Sequence, residues 1–438
     1  MKVGFGRLDI TPPFGTPLDG YYEKRTLDSI KDNLYLNAIA LNDGENTIVL
    51  ISADIIGIMI SDCKLIQKRI SERLGIKEEN IVLHAIHQHT SFRLMHQEDR
   101  YHMSDAYAEV LYCKFCDVAQ LAYADMKDCE VSTAEKETAE QISFVRRYFL
   151  DDGSVETNPR PHLFGRIVKS CEEPDNTVRL IRFARKDAKD IALVCFSTHP
   201  DVIGGTGCSA DWPGFTRKFV EADNDDVSCI FFTGVQGDSN HLNFFYARDN
   251  GGDFYKGKGR YGYSQYMGRT VANTVKEIWN STTPHSDGKV AVAVTSIYNK
   301  TKSEGMERYD EAMEFFRRHA AGEFDGTESM SDFGNFGRIR SLRKQPLYRE
   351  LPITAVAIGD IRIVGFAGEP FTAYGNAARE LADGKFTLTL ALVNGNQGYL
   401  PSAAAFEQGG YEASSSNFTP TLMDETMAAT KELLEQLS

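Results

Sequence analysis

A mixed α/β (α+β) chain, with central β-sheets flanked by helices and an active site at strand ends, is predicted by three features of this sequence. Five short apolar runs, at residues 81–83, 191–196, 228–233, 361–367 and 388–393, have the length and bounding turns of buried strands. Between them lie longer segments whose apolar residues recur with helical period, as at residues 105–125. Each run also leads directly into polar side chains, the arrangement expected when strand ends line a common crevice.

In chain order, an opening strand precedes Asp9-Ile10-Thr11-Pro12, and residues 47–58 form a second strand. Ser61 is the expected cap of a helix that stops at Gly75, with Leu65, Ile66, Ile70 and Leu74 on one face. The run at 81–83 ends in His84, His87 and His89, three of only ten histidines. His-x-His at a strand end puts His87 and His89 on one side, where they can share a metal or a substrate; a histidine pair satisfied within the core is the plain alternative. Residues 105–125 form a helix whose period is carried by Val110, Leu111, Phe115, Val118 and Leu121. It places Cys113 and Cys116 mid-helix as small core residues, and no second Cys-x-x-Cys exists to complete a four-thiolate site.

The run at 191–196 delivers His199. Asp211, before Trp212-Pro213, reads as a helix N-cap. The run at 228–233 enters Gly237-Asp238-Ser239-Asn240-His241, and Tyr255, Tyr261, Tyr263 and Tyr266 make a candidate substrate rim. A helix is expected at 306–321, followed by a long irregular stretch at 322–345, so that residues 300–345 form a small insertion or lid within one large domain covering 1–438. The last two runs deliver Glu369 and Tyr399, and residues 423–437 carry the pattern of an amphipathic helix.

Hydrophobic residues at 42% and charged residues at 25% are ordinary for a globular enzyme. The net charge of -14 argues against nucleic acid and anionic membranes, which need clustered Lys and Arg. No stretch approaches the ~20 apolar residues of a membrane span, and no secretory signal precedes the first strand. With eight cysteines in no regular framework, a cytoplasmic protein with reduced thiols and a small-molecule substrate is expected.

Two histidines and a carboxylate are a common ligand set for catalytic zinc, with water or substrate in the open position. His87, His199 and Glu369 would serve. Read in order, Val3-Gly4-Phe5-Gly6-Arg7-Leu8-Asp9-Ile10-Thr11-Pro12-Pro13 with Gly20-Tyr21, Ser52-Ala53-Asp54, His87-Gln88-His89-Thr90-Ser91, Thr198-His199-Pro200, Ser209-Ala210-Asp211-Trp212-Pro213-Gly214, Gly237-Asp238, Gly368-Glu369-Pro370-Phe371-Thr372, Gly398-Tyr399 and Gly410-Tyr411-Glu412 resemble the neutral/alkaline non-lysosomal ceramidase family. The resemblance is colinear over nearly the whole chain. It implies a zinc-dependent amidase of sphingolipid metabolism, its Zn2+ held by His87, His199, Glu369 and either Tyr399 or Tyr411, with Tyr399 preferred. It places His89 near the substrate as a hydrogen-bonding or proton-transfer group.

Two departures matter. The family pattern Gly-Asp-x-Ser-Pro puts a serine important for catalysis where this chain has Asn240, with Ser239 displaced by one residue. Either Ser239 is recruited by a local backbone change, or a metal-activated water is the nucleophile and His89 or Asp238 carries the proton to the leaving amine; the second is favoured. At 438 residues no room is expected for the family's C-terminal β-sandwich, which weakens ceramide as the substrate. The expected activity is hydrolysis of a linear amide of an N-acyl amine. The alternatives are hydrolysis of a soluble sugar-derived ester, lactone or amide, and a metal-holding ligand-binding protein that has lost catalysis.

Overall fold

The computed structural model describes residues 1–95, 104–324 and 328–437. The five apolar runs are strands, Ile81–Ala85, Asp190–Phe196, Val227–Thr233, Ile361–Phe366 and Thr387–Leu390. They belong to two sheets. The larger has nine strands, in the order Val227–Thr233, Asp190–Phe196, Thr177–Arg185, Lys127–Glu137, Lys2–Asp9, Tyr35–Asn42, Thr47–Ala53 and Ile81–Ala85, with Thr283–His285 also beside Lys127–Glu137. Its two terminal pairs are parallel and its other pairs antiparallel. The smaller sheet runs Val290–Lys300, Tyr348–Ile358, Ile361–Phe366 and Thr387–Leu390, and its last pair is parallel.

Alternation along the strands assigns each side chain a layer. Ile39, Leu41, Leu50, Val82, Phe183, Leu193 and Ile230 of the larger sheet pack against Val356, Ile358, Ile363 and Leu388 of the smaller. The alternate positions, Ala38, Ala40, Val49, Ile51, Leu83, Val194 and Phe231, pack in one core with side chains of the helices Ile60–Leu74, Asp105–Ala124, Asp211–Asp223 and Gly259–Ile278. The far face of the smaller sheet is covered by Thr372–Leu381 and Leu422–Gln436. The outcome is a four-layer helix–sheet–sheet–helix stack. Strands buried on both faces read as continuous apolar runs.

Hydrogen bonds bring the parallel strand ends together. Ser52 Oγ donates to the Phe231 carbonyl at 2.6 Å, Thr233 N donates to His84 Nε2 at 3.1 Å, and Thr233 Oγ1 donates to the Ile86 carbonyl at 2.9 Å. Isolated bridges join His84 to Val393 and Gly234 to Leu390, so the two sheets meet where their polar strand ends begin. The buried ring of His84 has its pKa pushed down to about 3 by burial. In the unfolded chain it takes up a proton near pH 6.5, while the folded protein resists until about pH 3. Below roughly pH 6.5 the unfolded state therefore binds more protons, and this contribution to stability is lost as pH falls, at up to about 1.4 kcal/mol per pH unit. Denaturant titrations at pH 7 and pH 5 are expected to show that loss, with a shallower dependence in His84→Asn.

Several local expectations are corrected. Ile60–Leu74 stops at a left-handed Gly75 as predicted, but its N-cap is Met59, while Ser61 Oγ bonds Asp62 Oδ2 at 3.0 Å. In Asp105–Ala124, Cys116 is buried but Cys113 is exposed, because residues three apart lie ~60° apart around a helix and the buried stripe ends between them. Asp211 does not cap its helix. Ala210 holds the N-cap position; Asp211, the first helical residue, has a left-handed φ of 50°, and its carboxylate accepts from Val202 N and Ile203 N at 2.9 Å and from Ser264 Oγ and Trp212 N at 2.6 Å. The 322–345 stretch contains the helix Met330–Ser341, started by a Ser329–Asp332 capping box. Gly334 and Gly337 mask its period, and a Cβ at Gly334 would sit 2.8 Å from the Tyr411 carbonyl. Among the described residues no helix is long and apolar enough to cross a membrane.

Candidate functional site

His87 leaves its strand through a sharp turn. Ile86 N donates to the Ala53 carbonyl and His87 N to the Ile55 carbonyl, each at 3.0 Å, and His87 adopts a left-handed φ of 72°. That conformation costs a non-glycine residue roughly 1–3 kcal/mol and is typical of functional positions. The turn lets His87 Nδ1 donate to the Ile56 carbonyl at 2.7 Å. His199 is held alike, with Nδ1 donating to the Gln236 carbonyl at 2.8 Å. Each carbonyl fixes the tautomer that leaves Nε2 as a free acceptor.

Those two Nε2 atoms converge on one carboxylate oxygen. Glu369 Oε2 lies 3.2 Å from His87 Nε2 and 3.3 Å from His199 Nε2. The His89 ring completes the group, its centroid 5.0 Å from that of His87 and 5.6 Å from that of His199. Burial holds His89 well below the ordinary imidazole range, helped by the neighbouring imidazoles, and burial also lowers His199. Burial opposes ionisation of Glu369, and positive charge facing it, whether on the imidazoles or on a cation between them, holds the carboxyl well below the usual carboxylate range.

This set fits a metal. Ligand atoms of His87, His89 and His199 lie within 4.8 Å of one another. His199 Nε2 and Glu369 Oε2 have no properly aligned hydrogen-bond partner among the described residues, nor does either nitrogen of His89. Facing acceptors in a buried site need a proton or a cation between them. Imidazole nitrogens with a carboxylate oxygen are the donors that zinc takes.

Tyr399 stands directly beside Glu369, paired with it in a short parallel bridge, and its ring lies 6.4 Å from that of His199. Arg146 lies over the Tyr399 ring at 5.1 Å. Its guanidinium is held by the fully buried Glu412 at 2.7 Å and by the Gly237 carbonyl at 2.8 Å. Tyr411 packs on the far side, 5.5 Å from Tyr399 and hydrogen-bonded to the Tyr22 hydroxyl at 3.2 Å. The Gly-Tyr-Glu element thus backs Tyr399 and Arg146.

The other predicted residues stand behind His199. Asp238 Oδ1 accepts from Thr372 N and Thr372 Oγ1, both at 2.9 Å, and so ties down the start of Thr372–Leu381. Ser239 pairs with Val145 and Asn240 with Phe144 in a short antiparallel bridge. The Asn240 amide donates to Asn158 Oδ1 and accepts from Leu242 N, both at 2.9 Å. Gly237 packs against Glu369, where an added Cβ would lie 2.2 Å from the Glu369 carbonyl oxygen. Gly237→Ala is expected to displace Glu369 and to lower the affinity of this group for a divalent metal about 10–100-fold, measurable by competition with a chelator.

Two site residues carried no assigned role in the sequence reading. Asp201 Oδ1 lies 3.6 Å from His89 Nδ1 and accepts from the Tyr21 hydroxyl. Tyr21 meets the His89 ring edge-on at 5.3 Å. Gly20, with φ 104°, allows that approach, since a Cβ there would sit 2.9 Å from His89 Nδ1. The available signals were the His199-Pro200-Asp201 adjacency and the Gly20-Tyr21 pair.

No protein-family model matches the sequence. No curated protein matches it either. Solved structures do. The chain is similar to the neutral ceramidase from Pseudomonas aeruginosa, with TM-score 0.74 and 14% identity over 100% of this chain and 74% of that one. It is equally similar to a ceramidase complexed with C2, with TM-score 0.75 and 14% identity over 100% of this chain and 75% of that one. The likeness read from colinear motifs is therefore a likeness of the whole architecture: this chain has the neutral ceramidase fold.

Proposed function

We propose that the protein is a zinc-dependent hydrolase that cleaves the amide of an N-acyl amine. The observation that carries this reading is the convergence of His87 Nε2, His199 Nε2 and Glu369 Oε2 on one buried point inside a ceramidase fold. His87, His199, Glu369 and Tyr399 would hold the metal, with Tyr399 favoured over Tyr411 by its pairing with Glu369. When bound, zinc supplies a Lewis acid for the scissile carbonyl and activates water near neutral pH.

The chain's own groups supply the proton transfers. His89 is neutral at pH 7, and with Nδ1 turned to Asp201 its Nε2 accepts the proton of the attacking water and returns it to the leaving nitrogen. Asp201 and Tyr21 flank that ring on its Nδ1 side. Asp238 is engaged at the helix start, so it supports the wall behind His199 and leaves the proton transfer to His89. Ser239 Oγ has no hydrogen-bond partner among the described residues, and Asn240 is held at both its amide atoms by Asn158 and Leu242, which favours water as the nucleophile. Ser239→Ala is expected to keep its metal and stay within about threefold of wild-type kcat/KM; loss of activity with metal retained would assign the attack to Ser239. The eight unpaired cysteines agree with a cytoplasmic location.

The test is a substrate panel run with wild type and His199→Ala. Turnover of N-acyl amines by wild type, with loss of metal and activity together in the variant, is the expected result. No turnover of N-acyl sphingosines together with turnover of short acyl-amino sugars would move the substrate from lipid to sugar, and no turnover of any amide by a metal-loaded protein would favour a binding role.

A further inference from the structure

His241 stands where the Gly-Asp-x-Ser-Pro pattern has proline, a residue without a polar side chain. It is only 3% exposed, and neither ring nitrogen has a hydrogen-bond partner among the described residues. A buried imidazole left so forfeits its hydrogen bonds with water unless something else satisfies it. The ring is held in place, stacked on Tyr255 at 5.8 Å and 26° and 6.1 Å from Tyr263. Two residues before it, the Ser239 carbonyl accepts from His199 N at 3.3 Å, so His241 follows directly on the segment that backs His199. Arg260 reaches the same wall from its exposed helix start, lying over Tyr255 at 5.7 Å, with Nη1 2.6 Å from where a Gly204 Cβ would be. That missing Cβ would also lie 3.6 Å from the Tyr21 hydroxyl, so Gly204 lets the Arg260 guanidinium pack close beside the Tyr21–Asp201 pair.

A neutral imidazole offers one donor and one acceptor, the complement of a hydroxyl group. We infer that His241 is a specificity-determining residue that binds a hydroxyl on the amine side of the substrate, with Arg260 at the mouth of the same subsite. The chain would then prefer N-acyl amino alcohols or amino sugars to N-acyl alkylamines. This rests on the amide-hydrolase reading for its substrate class, but the subsite itself is tested by binding.

The experiment measures, by calorimetry on the metal-loaded protein, the affinity for N-octanoyl-ethanolamine and for N-octanoyl-propylamine, which replaces the hydroxyl by a methyl. Wild type, His241→Leu and His241→Asn are compared after thermal melts establish that each is folded. Wild type is expected to prefer the hydroxylated ligand about tenfold, which is what one neutral hydrogen bond supports; His241→Leu should lose that preference and His241→Asn, which keeps a donor and an acceptor, should retain part of it. The same preference in all three proteins, or no binding of either ligand by wild type, would overturn the inference. A His241-dependent preference without hydrolysis would uphold it while removing the hydrolase reading. Should His241→Leu not fold, the His241→Asn comparison decides: an unchanged wild-type ratio overturns the inference, and a reduced one upholds it.

Discussion

Glu369→Ala is expected to lose bound zinc and at least about a thousandfold in kcat/KM, corresponding to ~4 kcal/mol of transition-state stabilisation. The expectation follows from the position of Oε2, which faces both Nε2 atoms at 3.2 and 3.3 Å among buried side chains. Removing the carboxylate removes the anionic donor that faces the two ring nitrogens, and imidazoles alone do not compensate the charge of a divalent ion. Glu369→Gln separates charge from shape. It keeps the side-chain volume and one acceptor, so retention of metal and activity in Glu369→Gln would show that charge is not what Glu369 contributes. Steady-state kinetics and metal analysis of the same preparations check both variants.

Asp54→Ala is expected to cost about 3–5 kcal/mol of folding stability, a large share of a typical domain's total. Asp54 is wholly buried, accepts from Arg217 at 2.8 and 2.5 Å and from Tyr35 N at 2.9 Å, and its own carbonyl receives Gln88 Nε2 at 3.0 Å. Truncating it leaves the guanidinium of Arg217 buried and uncompensated beneath the turn that carries His87. The double variant Asp54→Ala/Arg217→Met removes both charges, and it should recover much of the loss. Guanidinium titrations of the three proteins measure this. Equal stabilities for Asp54→Ala and wild type would show that the pair is not coupled to folding.

The strand framework and the three side chains that converge, His87, His199 and Glu369, were legible in the sequence for a definite reason. Parallel strands buried on both faces leave unbroken apolar runs, and the polar residues that follow them fall at the crevice, so His87, His199 and Glu369 could be picked out one by one although they come from three different strand ends. Tyr399 was reachable because its glycine-flanked turn follows the last run. What stayed hidden depends on pairing across the chain. The clamp of Glu412 on Arg146 and the hydrogen bond from Tyr21 to Asp201 join distant segments with no local period to mark them. The left-handed turn at His87 is set by the Ala53 and Ile55 carbonyls of a neighbouring strand end. Asp211 misled for the same reason: its acid-before-proline pattern is that of a cap, but its carboxylate is taken by the loop at Val202 and Ile203. The helix Met330–Ser341 was missed because two glycines, one of them required for packing against Tyr411, interrupt its period.

The most direct test of the central claim, that His87, His199 and Glu369 form a zinc site, is the metal content of the protein purified without added metal and without a polyhistidine tag. About one zinc per chain in wild type, and almost none in Glu369→Ala, is the predicted result. A folded wild-type protein that contains no zinc and takes none up on dialysis against it would contradict the account.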